Sequence, residues 1–136
     1  AKANPSYNCT NIKDAFSVDN TSAKLTYPVS LMTADEIAFA GGVAFQEMNT
    51  PYAWFISNST GSKVSSNWWS LSPGSWGIGF AHVWYWNSGS ARLNYNVVDS
   101  AFAVRPAISL KSCTLYSTGD GTSETPYEIV ETDTGC

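Results

Sequence analysis

Two proline-centred segments, one near each end of the chain, constrain the fold most. Lys24-Leu25-Thr26-Tyr27-Pro28-Val29-Ser30-Leu31-Met32 alternates, with Leu25, Tyr27, Val29 and Leu31 on one face. Ala103-Val104-Arg105-Pro106-Ala107-Ile108-Ser109-Leu110 also alternates, with Val104, Pro106, Ile108 and Leu110 on one face. Such alternation reads as a half-buried strand. A proline cannot donate to a ladder, so it is confined to an edge or an irregular pairing. Both prolines are tolerated if the two strands pair antiparallel and each proline turns to the side without ladder bonds. That pairing closes the domain as a loop whose ends leave side by side.

The first strand runs directly into a helix signal. Thr33-Ala34-Asp35-Glu36 is a capping box, in which the Thr33 hydroxyl accepts from the Glu36 N–H and the Glu36 side chain reaches back to Thr33. Asp35 and Glu36 also complement the positive end of the helix dipole. Ile37, Phe39 and Ala40 supply apolar side chains, and Gly41-Gly42 supplies a left-handed stop. Capping, rather than catalysis, is the expected role of the acidic pair, because adjacent residues point to different sides of a helix. A second short helix is expected within 43–55, ended near Pro51, and 57–67 has the composition of a surface loop. Further strands are expected at Trp68–Leu71, Ala81–Trp86 and Leu93–Val98. A terminal hairpin, Thr114–Tyr116 with Tyr127–Val130, flanks the turn signal Gly119-Asp120-Gly121. Asp120, Thr122 and Glu124 could also be imagined as a calcium loop, but the ligand count is short.

At 136 residues and 43% hydrophobic content, the chain can bury one core, so a single domain 1–136 is expected. It divides into an extension (1–23), a core (24–112) and the C-terminal hairpin (113–136). Charged residues make up 13%, against roughly 25% in ordinary domains, while aromatics are abundant, which points to a β-rich fold with an uncharged surface. The balance is 7 − 11 = −4 with no basic stripe, which disfavours nucleic acid and anionic membranes as partners. No apolar run approaches the ~20 residues of a membrane span, so direct membrane insertion is not expected. The chain starts without Met, and a processed or truncated product is expected.

Cys9, Cys113 and Cys136 are an odd count, without a C-x-x-C pair, and His82 is the single histidine. A structural zinc site needs four N or S ligands, so no metal is expected. Low charge and cysteines near both ends suggest an oxidising compartment and one disulfide, with three buried thiols as the alternative. Cys9–Cys113 and Cys113–Cys136 are competing bridges. The sequons at Asn8, Asn20 and Asn58 carry little weight in a chain rich in Asn, Ser and Thr.

Between Pro73 and Ala103 lies a run rich in Trp, Tyr, Ser, Gly and Asn, with Arg92 and Asp99 as its only full charges. Stiff aromatic area mixed with adaptable polar groups is the composition of a binding surface, and the competing reading is plain β-rich core. Alternation across Ala81–Trp86 puts His82, Trp84 and Trp86 on one face and Ala81, Val83 and Tyr85 on the other. Small Ala81 and Val83 suit an interior, leaving the His/Trp/Trp face for solvent or a ligand. The opposite assignment, with both tryptophans buried, agrees equally well with burial statistics. Trp54, Trp68 and Trp69 are assigned to the core first. Nucleophilic catalysis needs a base beside the nucleophile, and neither His82 nor Gly74-Ser75-Trp76-Gly77 forms a nucleophile elbow. Gly77-Ile78-Gly79 lacks the third glycine of a dinucleotide loop and reads as a turn. No catalytic residue and no cofactor are expected.

Taken in order, Tyr27–Glu36 with Gly41-Gly42, Trp69-Ser70-Leu71-Ser72-Pro73, Val104–Lys111 and Gly119–Ser123 with Pro126-Tyr127 resemble bacterial and phage surface domains of the C-type lectin fold. These include the variable proteins of diversity-generating retroelements, and the fold is similar to that of formylglycine-generating enzymes. The resemblance covers about Leu25 to Val130. It implies an α+β class: a C-type lectin-like fold with short helices, a small, mostly antiparallel sheet, and paired N- and C-terminal core strands. It also implies that a fixed scaffold displays ligand-contacting side chains between the Ser-Pro and Val-Arg-Pro landmarks. By position these are Ser75, Trp76, Ile78, Phe80, His82, Trp84, Trp86, Asn87, Arg92, Asn94, Tyr95, Asn96, Asp99 and Phe102. Trp86-Asn87-Ser88 lacks the acid of the Trp-Asn-Asp calcium motif, and the paired active-site cysteines of the formylglycine enzymes have no counterpart. The functional expectation is a non-enzymatic display domain on a cell or virion surface, such as a pilus or phage tail, binding a protein or glycan ligand. The alternative is a structural subunit whose aromatic face mediates self-assembly or attachment to a larger surface structure.

Overall fold

The computed structural model describes residues 5–6, 20–22, 24–56, 66–122 and 124–130. Within them the chain is α+β, with two short helices and three small antiparallel sheets.

The capping box forms as the sequence dictates. The Glu36 N–H donates to Thr33 Oγ1 at 3.1 Å, and the Thr33 N–H donates to Glu36 Oε2 at 2.7 Å. Helix α1 (Ala34–Phe39) follows, and Gly41 with φ 94° ends it. The expected helix within 43–55 lies later than expected: α2 is Ala53–Ile56, so Pro51 precedes the helix rather than ending it. The earlier part of that segment is held to a strand instead. The Phe45 N–H donates to the Leu93 carbonyl at 2.9 Å, and the Met48 N–H to the Ala91 carbonyl at 2.9 Å. Long-range backbone bonds win there over local helix propensity.

The main sheet has the order β2 (Trp68–Gly77), β3 (Phe80–Asn87), β4 (Arg92–Val97), all antiparallel. β2 runs well past the expected Leu71. It stays paired by taking up irregularities on both sides of Pro73, which has no N–H to give. The β2–β3 turn is Ile78-Gly79, with φ of 53° and 81°.

The two proline-centred segments do meet. β1 (Ser30–Leu31) pairs antiparallel with β5 (Pro106–Ala107), in the register Ser30↔Ala107 and Leu31↔Pro106. Their length is the correction: each keeps only two residues of the expected strand. Pro28 sits at the centre of a three-residue turn in which the Val29 N–H reaches the Tyr27 carbonyl at 2.8 Å, so the alternation of Leu25 to Leu31 never becomes one face. Val104, Ile108 and Leu110 are exposed rather than buried. β6 (Tyr116–Thr118) and β7 (Glu128–Ile129) form the terminal hairpin. Its turn is wider than an Asp-Gly pair, with Gly119 and Gly121 both at positive φ. Asp120 Oδ1 accepts from the Thr122 N–H at 3.0 Å and from the Thr125 hydroxyl, so turn chemistry accounts for this carboxylate. Cys113 is disulfide-bonded, and Cys9 and Cys136 lie outside the described residues, as do the sequons at Asn8 and Asn58 and most of the expected 57–67 loop.

The core is an aromatic stack between α2 and the sheet. Phe55 lies 4.2 Å from Trp86 and 3.9 Å from Trp54 between ring centroids, and the Trp68 indole N–H donates to the Phe55 carbonyl at 3.1 Å. The Arg105 guanidinium sits 5.3 Å above the Trp68 ring. Ile37, Ala34 and Leu93 complete the core. Of the tryptophans assigned to it first, Trp68 is fully buried, Trp69 half-buried and Trp54 partly exposed.

Candidate functional site

Residues directly opposite one another in an antiparallel pair share a face. The β3 residues Phe80, His82, Trp84 and Trp86 therefore share theirs with Val97, Tyr95 and Leu93 of β4. Burial along this face is graded, not uniform: Phe80 is 54% exposed, His82 intermediate, Trp84 7% and Trp86 0%. The helices cover one end of the strand and leave the other open. Trp84 and Trp86 are corrected from ligand-contacting residues to core, because the packed Phe55 and Trp68 rings leave Trp86 no surface to offer.

The open end is the β2–β3 hairpin tip. Trp76 is 76% exposed and Ile78 99%, and Phe80 stands beside them with Ser75 also exposed. Trp76 pairs with Ala81 on one face of the hairpin, and Gly77 with Phe80 on the other, so the apolar side chains point to both sides of the projection and off its end. A β-branched residue in the left-handed region is an outlier, since its Cβ crowds the following carbonyl. Ile78 adopts that conformation while its side chain is 99% exposed.

Below the tip, His82 meets Tyr95 edge-on at 5.4 Å, and Phe45 meets Tyr95 edge-on at 5.5 Å. No periodic pattern marks Phe45, which reaches this patch from the segment bonded to β4 with φ 62°. Gly74 lets β2 pass close to Tyr95, where a Cβ would lie 3.1 Å from the Tyr95 Cβ. Val98, exposed and bonded through its N–H to the Ala81 carbonyl at 3.1 Å, and exposed Asp99 follow β4.

All but Arg92 of the remaining expected residues have structural partners; the buried Arg92 Nε meets no hydrogen-bond acceptor among the described residues. Asn87 Oδ1 accepts from the Ser90 N–H at 3.0 Å and fixes the β3–β4 turn. The side chains of Asn94 and Asn96 accept from the N–H groups of Tyr95 and Val97. Phe102 packs at 4.6 Å on Trp69 and 4.5 Å on Tyr85, closing the opposite face of the sheet. Arg92 is half-buried at the start of β4. The expected set is thus divided between an outer group on both sides of the hairpin and its end (Ser75, Trp76, Ile78, Phe80, His82, Tyr95, Asp99) and scaffold (Trp84, Trp86, Asn87, Arg92, Asn94, Asn96, Phe102).

The outer group can stack on flat apolar surfaces, meet them edge-on, and form hydrogen bonds through one imidazole, two hydroxyls, one indole N–H and one carboxyl group. Among the described residues no three His, Cys, Asp or Glu side chains gather to hold a metal, and no helix is long and apolar enough to cross a membrane. Comparison of the chain with protein families, with curated proteins and with solved structures found no match. The lectin-fold resemblance accordingly rests on the motifs quoted above.

Proposed function

We propose that this chain is a non-enzymatic display domain with a C-type lectin-like fold, exposed on a cell or virion surface, that recognises a protein or glycan ligand through its β2–β3 hairpin tip. The observation that carries this reading is the tip itself: Trp76, Ile78 and Phe80 stand exposed together on an uncharged projection. Single exposed apolar residues are ordinary. A cluster of them in one place marks an interaction site. The pairing of β1 with β5 supports the lectin-like topology, and the Cys113 disulfide supports an oxidising, extracellular setting. Binding of the purified domain to a glycan array and to intact cells by flow cytometry tests the reading. The double variant Trp76→Ser/Phe80→Ser is expected to weaken binding by about 30-fold or more, the scale of a lost hot spot. Unchanged binding by the folded variant would refute it.

The second reading, an assembly subunit, is favoured by a different surface. Val104, Ile108, Leu110, Leu115 and Tyr116 are all exposed around β5 and the terminal hairpin. Sedimentation separates the two readings, since a persistent monomer at high concentration disfavours assembly.

A further inference from the structure

The strand β4 closes one side of the main sheet, so its outer edge has no full strand beside it. Near its start that edge is taken: the Leu93 N–H donates to the Val43 carbonyl at 3.0 Å, and the Leu93 carbonyl accepts from the Phe45 N–H at 2.9 Å. In an antiparallel strand every second residue turns its N–H and C=O to the same side. Tyr95 and Val97 therefore point theirs away from β3 as well, and the inward bond from the Val98 N–H to the Ala81 carbonyl, at 3.1 Å, has the matching phase. Past Leu93 the edge meets no other strand among the described residues.

An unpaired edge is a template for another chain's strand, and natural sheets blunt it with lysine, proline, a bulge or a cover. Leu93-Asn94-Tyr95-Asn96-Val97-Val98 holds no charge and no proline, and β4 keeps one unbroken register with β3. Tyr95 is 40% and Val98 54% exposed, so neither is covered. Side chains occupy the edge instead. The Tyr95 N–H donates to Asn94 Oδ1 at 2.8 Å and the Val97 N–H to Asn96 Oδ1 at 2.9 Å, while the Val97 carbonyl accepts from the Ser100 N–H at 3.2 Å. Asn is short enough to serve a neighbouring backbone N–H, in competition with a ladder. The two asparagines recur at every second residue, which is the spacing of the outward donors.

We infer that the outer edge of β4 is a pairing surface for the same strand of a second copy of this chain, and that Asn94 and Asn96 hold it closed. Antiparallel pairing centred on Asn96 sets Tyr95 of each copy against Val97 of the other, a self-complementary contact that closes as a dimer. Every rung of that ladder needs an N–H that an asparagine now holds. A hydrogen bond within the chain weighs roughly two- to ten-fold in an equilibrium constant, and the pair must break such bonds on both copies. The inference is independent of the hairpin tip.

Sedimentation of the whole chain over a concentration series tests it, together with hydrogen exchange read by NMR at the Tyr95 and Val97 amides. Asn94→Val/Asn96→Val removes both acceptors and suits a strand. This variant is expected to self-associate about ten-fold or more tightly than the wild type, with exchange at Tyr95 and Val97 slowing as concentration rises. Asn94→Asp/Asn96→Asp keeps both acceptors and is expected to retain wild-type association and wild-type exchange at both amides. Three results would each overturn the inference: a valine variant that associates no more tightly than the wild type, association that leaves exchange at Tyr95 and Val97 independent of concentration, or an aspartate variant that associates as the valine variant does. Asn94→Ala/Asn96→Ala removes the same acceptors with a smaller side chain and carries the test if the valine variant does not fold.

Discussion

Replacing Ile78 by Asn isolates the conformational cost of the hairpin tip. Ile78 has φ 53° and is 99% exposed, so the native state gains almost nothing from burying its side chain. The left-handed region costs an L-residue roughly 1–2 kcal/mol, and Asn, which hydrogen-bonds locally there, escapes most of it. Asn-Gly is also the preferred pair for a two-residue hairpin turn with both residues at positive φ. Ile78→Asn is therefore expected to stabilise the domain by about 1 kcal/mol, or about 3–5 °C in Tm for a chain of this size. Calorimetry and urea denaturation measure it, with the midpoint rising and the slope unchanged. Ile78→Val, which keeps the β-branch, serves as the control and should leave Tm nearly unchanged. If Asn lowers Tm or leaves it at the wild-type value, then Ile78 is either unstrained or supported by contacts, and the argument from strain fails. In the proposed function the same substitution weakens ligand binding while the fold gains stability, the usual trade at a site kept for recognition.

Substitutions at three other positions test the scaffold. Gly42→Ala is expected to destabilise by about 1–3 kcal/mol in urea unfolding, because its Cβ would lie 2.7 Å from Ile37 Cγ2 and 2.8 Å from the Ile37 carbonyl oxygen. Thr33→Ala removes the acceptor for the Glu36 N–H and is expected to cost about 1 kcal/mol, while Thr33→Ser should retain most of it. The Asp120 carboxyl is lowered from 3.8 to about 2, first by the Thr125 hydroxyl and then by the Thr122 N–H. A depressed folded-state value means that its contribution is complete above the unfolded value and is lost as pH falls through about 2. An NMR carboxyl titration should therefore place Asp120 near 2 in the wild type and closer to the ordinary carboxylate range in Thr125→Val, and equal midpoints would refute the assignment.

What was legible in the sequence is what local chemistry determines. The Thr33–Glu36 capping box needs only four consecutive residues, and it forms as read. The pairing of the Pro28 and Pro106 segments was also legible, because a proline narrows the places where a strand can sit. Their lengths were not. Alternation records a periodicity, but whether Val104 and Ile108 are buried depends on which element lies across from them, and among the described residues they stay exposed. The helix expected within 43–55 failed for a related reason: the Phe45 and Met48 N–H groups find acceptors on Leu93 and Ala91, far away in sequence.

Alternation in β3 offers only two choices for the His82/Trp84/Trp86 face, in or out. A strand has two faces along its whole length only when the layer packed against it is as long as the strand. Here that layer is led by Phe55 and Ile37, and with the neighbouring Trp68 of β2 it covers Trp86 and most of Trp84 but ends before Phe80. One face of β3 therefore serves as core at one end and as surface at the other. The stretch of chain that holds the fold together is continuous with the stretch proposed to meet the ligand, yet the two make different demands. Phe80, Ile78 and Trp76 can be replaced without opening a hole in the core, whereas truncating Trp86 leaves a cavity costing about 3–5 kcal/mol. A tip that tolerates replacement on a base that does not is the arrangement a recognition surface needs if its side chains are to change while the domain still folds.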